Sequence, residues 1–99
     1  FDIRAHRVTD PTTGAIDVRR IEVKGYTRGN DIQLTVNEWY KAQQLGPTYW
    51  LYVVWNPLDD DRELVRIHNP AEKLDHAKKE IVTARIFCIP AAAIGTAAN

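Results

Sequence analysis

Residues 49–55 read Tyr49-Trp50-Leu51-Tyr52-Val53-Val54-Trp55, seven consecutive apolar or aromatic side chains. Continuous rather than alternating apolarity, in residue types that pack well on a pleated surface, predicts a central strand covered on both faces. The flanking segments extend this reading. On the N-terminal side, Thr35-Val36-Asn37-Glu38 has the spacing of a capping box: the threonine hydroxyl accepts from the amide of residue 38, and the Glu38 carboxylate accepts from the amide of residue 35. A helix is expected to start there, with Val36, Trp39, Ala42 and Leu45 as its apolar stripe and Gly46-Pro47 as its stop. On the C-terminal side Asn56-Pro57 breaks the strand and Asp59-Asp60-Asp61 form a solvated loop. Leu64-Val65-Arg66-Ile67 then returns as a hairpin partner that ends at Asn69-Pro70.

Farther out, residues 1–8 alternate, with Phe1, Ile3 and Ala5 on one side and Asp2, Arg4 and His6 on the other. Asp10-Pro11-Thr12-Thr13-Gly14 is a turn, so residues 15–24 should fold back antiparallel. In that second strand Ile21 and Val23 are expected to face inward, leaving Val18, Arg20, Glu22 and Lys24 on the face that can approach Asp2. Gly25 ends it, and residues 26–30 form a polar loop with Arg28 at its tip. Residues 71–80 are helix-prone, with Leu74, Ala77 and Ile81 as apolar positions and Lys73, Lys78 and Lys79 as the wet face. A last strand over residues 83–89 and a short helix opening at Pro90 complete the chain. The order strand, strand, helix, strand, strand, helix, strand, short helix is that of one α/β domain over residues 1–99. A start in mid-strand at Phe1 and the absence of methionine are what a piece of a longer polypeptide would show.

Thirteen basic and thirteen acidic residues cancel, which removes the argument that a strongly basic domain must meet nucleic acid. The distribution is uneven: Arg4, Arg7, Arg19, Arg20, Lys24 and Arg28 precede Asn30, so a polyanion should prefer the N-terminal half. Cys88 is the sole cysteine and lies in an apolar run, which predicts a buried, inert thiol and allows no internal disulfide. His6, His68 and His76 have no zinc-like spacing with it. No run approaches the ~18 to 20 apolar residues of a membrane span and no leader precedes the first strand, so no membrane partner and an intracellular, cytoplasmic location are expected.

The chemistry-bearing stretch is Ile21-Glu22-Val23-Lys24-Gly25. Glu22 and Lys24 are two apart and therefore share a strand face, and Asp2 opens the partner strand. Two acids and a lysine at a sheet edge suit metal-assisted phosphodiester cleavage, which needs oxygen ligands for a hard cation and a positive group near the attacking water. The structural explanation is a solvated charge pair worth about 0 to 1 kcal/mol. Trp39, Trp50 and Trp55 could stack on bases, but their spacing is that of core residues.

Asp2-Ile3, a turn, Ile21-Glu22-Val23-Lys24-Gly25, then Leu34-Thr35-x-Asn37-Glu38-Trp39 with Ala42, then the 49–54 strand with Asn56-Pro57, together resemble the NO VEIN C-terminal domain family. The resemblance implies the PD-(D/E)xK superfamily, hence a restriction-endonuclease-like mixed β-sheet flanked by helices. The N-terminal helix and first strand of that core have no counterpart here. It implies catalytic roles for Asp2, Glu22 and Lys24, with Asp2, Glu22 and the Val23 backbone carbonyl holding Mg²⁺ or Mn²⁺. Lys24 would orient the attacking water or offset charge, and no histidine base is required. Arg4, Arg20 and Arg28 are implied phosphate contacts, with His6, Gln33 and Glu38 as accessory positions; Asn37 is a weaker one. Glu38 also has a structural explanation as the capping residue. The expected partner is nucleic acid, DNA in the first instance with RNA left open, in a parent protein carrying a helicase-like or DNA-defence module. An unpaired sheet edge would invite a second copy of the chain. Two alternatives stay open, a nuclease-fold module that binds nucleic acid without cutting it and a protein-interaction domain.

Overall fold

The structure is a computed structural model that describes the backbone of residues 2–10, 15–81 and 86–99, and the side chains of Ile3, residues 18–80 and residues 86–99. Strand β1 (Asp2–Asp10) pairs antiparallel with β2 (Ala15–Tyr26). The predicted turn at residues 11–14 lies outside the described residues. From β2 the chain passes through β3 (Ile32–Thr35), helix α1 (Val36–Leu45) and a 3₁₀ turn (Gly46–Thr48) to β4 (Tyr49–Trp55), which lies parallel to β2. A parallel pair cannot be joined by a tight hairpin, and this helical crossover supplies the needed connection. β5 (Glu63–His68) closes a four-stranded sheet ordered β1-β2-β4-β5. Helix α2 (Pro70–Leu74), strands β6 (Lys79–Ile81) and β7 (Ile86–Ile89) and helix α3 (Ala91–Ala97) follow. β3, β7 and β6 form a second, antiparallel sheet.

The core lies between the two sheets. Tyr49, Leu51, Val53 and Trp55 alternate into it from β4, Val65 and Ile67 enter from β5, and Ile32, Leu34, Phe87 and Ile89 face them from the second sheet. Trp39 of α1 packs its ring on Phe87 at 5.4 Å between centroids, and Leu74 of α2 and Ile94 of α3 fill the remaining space. Gly46 adopts φ 51° directly after α1, the left-handed conformation that favours glycine at a helix stop.

One sequence expectation is inverted. The parallel register sets Glu22 beside Leu51 and Lys24 beside Val53, so the E-x-K face of β2 looks toward α1 and the core. Ile21 and Val23 lie beside Trp50 and Tyr52 on the opposite face, where Ile21 is nonetheless buried and Val23 half-buried, while Ile3 and Leu64 are exposed. That face also corrects the reading of β4 as covered on both sides. Its outer residues are shielded by charged neighbours instead of a second layer: the Arg19 guanidinium sits 4.1 Å from the Trp50 ring centre and donates to the Tyr52 hydroxyl at 3.1 Å. His68 stacks on Trp50 with ring centroids 4.6 Å apart.

Three smaller corrections follow. The helix expected over residues 71–80 stops at Leu74, because Lys79–Ile81 pair with β7 and the ladder outweighs helix propensity. Lys78 accordingly lies near the Trp39 ring, 5.3 Å from its centre. Of the strand expected over residues 83–89, Ile86–Ile89 are strand and residues 82–85 lie outside the described residues, while the Cys88 thiol is half-buried on the outward face of β7 instead of buried. β3 is an element the sequence reading omitted. Among the described residues no helix is long and apolar enough to cross a membrane.

Candidate functional site

The β1–β2 register places residue 2 directly opposite residue 22, and directly opposed residues of an antiparallel pair share one face. The side chains of Asp2, Arg4 and His6 lie outside those described. Glu22 is 4% exposed and is the one buried charged residue among the described residues. It does not stand alone. Lys24 Nζ lies 3.5 Å from Glu22 Oε1 and donates to Glu38 Oε1 and Oε2 at 3.0 and 3.1 Å. Three groups from two elements therefore meet: a carboxylate and an ammonium from β2, and a second carboxylate from the first turn of α1.

The capping box is what delivers Glu38. Thr35 Oγ1 accepts from the Glu38 amide at 3.1 Å, and Glu38 Oε1 accepts from the Thr35 amide at 2.8 Å. The same carboxylate caps the helix and binds Lys24, so capping does not keep it from the E-x-K pair. Loss of the hydroxyl in Thr35→Ala should cost about 1 kcal/mol of stability. It is expected to lower the denaturation midpoint by several degrees for a domain of this size, as followed by circular dichroism.

Electrostatics divides the two glutamates. Burial pushes the Glu22 carboxyl up to about 7, its hydrogen bond to Glu38 and that neighbour's negative charge add to the rise, and Lys24 opposes it. Burial also acts upward on Glu38, but hydrogen bonds from Glu22, the Thr35 amide and Lys24 overcome it and hold the group at about 2. Burial favours the neutral form of Lys24, and Glu38 and Glu22 outweigh it, so its affinity for a proton rises. The pair of carboxyls thus shares one proton up to near neutral pH beside a permanent cation.

Such a pair suits a hard divalent cation. Two carboxyls, the buried Glu22 and the half-buried Glu38, lie within hydrogen-bonding reach of one another, where a cation could stand between them. One or two carboxylates with retained water are the usual protein share of a Mg²⁺ site. Glu22 and Glu38 are the described residues that would hold it. No set of three His, Cys, Asp or Glu side chains converges among the described residues.

Other sequence-predicted positions fall differently. Arg20 is half-buried on the same face of β2, one side-chain repeat before Glu22 and beside Tyr49 of β4. Val23 pairs with Tyr52 within the sheet. Arg28 is held away from the carboxylates, its amide donating to Asn56 Oδ1 at 2.9 Å and its guanidinium paired with Glu63. Gln33 is exposed on β3 opposite Cys88, facing away from the core.

A cleft of about 340 Å³ opens onto Glu22, between Tyr49 and the side chains of Asn37, Glu38, Tyr40, Lys41 and Gln44. Of the four outer α1 positions, the sequence reading weighed Asn37 alone and missed the others. Their spacing of 37, 40, 41 and 44 is one helical face, and the helix following the E-x-K strand was the signal that could have found them.

Residues 1–67, which include every residue of the cluster and cleft, match the family model described as Protein NO VEIN, C-terminal. No curated protein and no solved structure matches the chain.

Proposed function

The chain belongs to the NO VEIN C-terminal family, and from that premise we propose that it is a metal-dependent nuclease domain of the restriction-endonuclease-like, PD-(D/E)xK kind. It would hydrolyse phosphodiester bonds in nucleic acid, DNA in the first instance, within a larger helicase-linked or DNA-defence protein. The observation that carries this reading is the convergence of Glu22, Lys24 and Glu38, with residue 2 opposite residue 22 in the ladder.

Glu22 and Glu38, with Asp2 and the Val23 carbonyl, would hold Mg²⁺ or Mn²⁺. The ion supplies a more acidic bound water and a counter-charge for the phosphorane. Glu22 would hold the ion as a carboxylate. Glu38 keeps the Lys24 ammonium beside the reacting phosphate, where it offsets developing charge. Arg20, half-buried on the face of β2 that carries Glu22, is a candidate contact for a phosphate next to the scissile one, and Arg4 is a further candidate. Arg28 would have to exchange its exposed ion pair with Glu63 for a phosphate to serve as a contact.

Incubation of the protein with supercoiled plasmid in Mg²⁺ or Mn²⁺ tests the reading: conversion to open circles that is abolished by EDTA is the expected result. Nucleic-acid binding without conversion would favour the second reading, a non-cutting module of the same shape. That reading draws on the closed Lys24–Glu38 ion pair, which is satisfied without any metal.

A further inference from the structure

We propose that the outer face of α1 is the seat of an unpaired nucleotide, so that the cleavage centre acts on single-stranded or frayed nucleic acid. This rests on the reading of Glu22, Lys24 and Glu38 as that centre, and adds the substrate class.

The cleft beside Glu22 is about 340 Å³, within the range of roughly 300 to 1,000 Å³ that takes small ligands. Its chemistry is mixed in a particular way. Tyr40 presents its side chain at the rim with 59% of the residue exposed, so a flat aromatic surface stands in water beside the buried Glu22 and the half-buried Glu38. Lys41 follows it in the chain, and the amides of Asn37 and Gln44 lie about one helical turn before and after. An aromatic face, a cation and amides are the groups that respectively stack on a base, meet a phosphate and bond a base edge.

The carboxyls at the floor argue for where the phosphates run. With Glu22, Lys24 and Glu38 read as the cleavage centre, the scissile phosphate would meet the floor beside the Lys24 ammonium and its attached base would occupy the cleft. A base inside a duplex has both faces stacked and cannot offer one to Tyr40. The nucleotide next to the scissile bond must therefore be unpaired.

The test is fluorescence anisotropy of a labelled single-stranded oligonucleotide and of the same sequence as a duplex, in EDTA so that nothing is cut. Wild type should prefer the single strand. Tyr40→Ala should weaken single-strand binding by about 10-fold, the loss expected for one base stack, and change duplex binding far less. Tyr40→Trp should retain it. Lys41→Ala should reduce the salt dependence by about one phosphate contact. The proposal is overturned if Tyr40→Ala binds the single strand as wild type does, if both substrates weaken equally, or if wild type prefers the duplex. Tyr40 is exposed, so the substitution leaves the core in place. Because binding is read without metal, a protein that binds through Tyr40 but fails to nick plasmid in Mg²⁺ loses the cleavage reading and keeps this one.

Discussion

Glu22→Gln is expected to reduce Mg²⁺-dependent cleavage by on the order of 100-fold or more, the size of loss seen when one electrostatic stabiliser of a transition state is removed. The substitution is nearly isosteric and preserves a hydrogen bond to Glu38, but an amide is a poor ligand for a hard dication and brings no charge. Glu38→Gln is the informative companion. Glutamine serves as well as glutamate at the third position of a capping box, so α1 keeps its start while the ion pair to Lys24 is lost. A large fall in rate with little change in helix content separates the two tasks that Glu38 performs. Lys24→Ala should also cut the rate, by roughly 10²-fold or more if the ammonium assists proton transfer or offsets charge. Equal cleavage by wild type and all three variants would leave the charged cluster without a catalytic part.

The second large effect is on stability. Glu22 holds its proton in the folded chain up to about pH 7 but has an ordinary value of 4.5. Between those values the folded state binds more protons than the unfolded one, so stability declines as pH rises and levels off above 7. Glu38, held at about 2, acts in the opposite sense: its contribution is present above 4.5 and is lost as pH falls toward 2. Together the pair favours the fold most near pH 4.5. The Glu22 share is on the order of 3 kcal/mol. Urea denaturation in chelator should show wild type weaker at pH 8 than at pH 5, with Glu22→Gln lacking that decline and exceeding wild type at pH 8. A variant that gains stability as it loses cleavage is the expected signature of a carboxylate kept for function at the expense of the fold. A wild-type profile flat between pH 5 and 8 would contradict the assigned burial of Glu22.

Much of this was legible in residue order, and what was not has physical causes. The period of two in a strand joins Glu22 to Lys24, and the turn sends their face back toward Asp2; the ladder then sets residue 2 opposite residue 22. Alternation tells which side chains travel together without saying which face receives the helices. Here that depended on the parallel pairing of Glu22 with Leu51, a contact 29 positions away in the chain. Local chemistry favoured a buried Ile21, which the fold keeps, but tertiary pairing gave the face toward α1 to Glu22 and Lys24. Ile32-Gln33-Leu34-Thr35 does alternate, but four residues ahead of a strong cap are easily absorbed into the loop. In Lys79-Glu80-Ile81 helix propensity was real and was overruled by hydrogen bonding to β7. Glu38 offered two explanations that read as rivals in sequence, yet a carboxylate has lone pairs enough for Thr35 and Lys24 at once.

The most direct measurement of the central claim is isothermal titration of Mn²⁺ into metal-free protein at pH 6, in two buffers of different ionisation enthalpy. If Glu22 and Glu38 exchange their shared proton for a divalent ion, one ion should bind with release of close to one proton, and Glu22→Gln should abolish both the binding and the release. Absence of saturable binding, or equal binding by Glu22→Gln, would contradict the assignment of these carboxyls as a metal-holding cleavage centre.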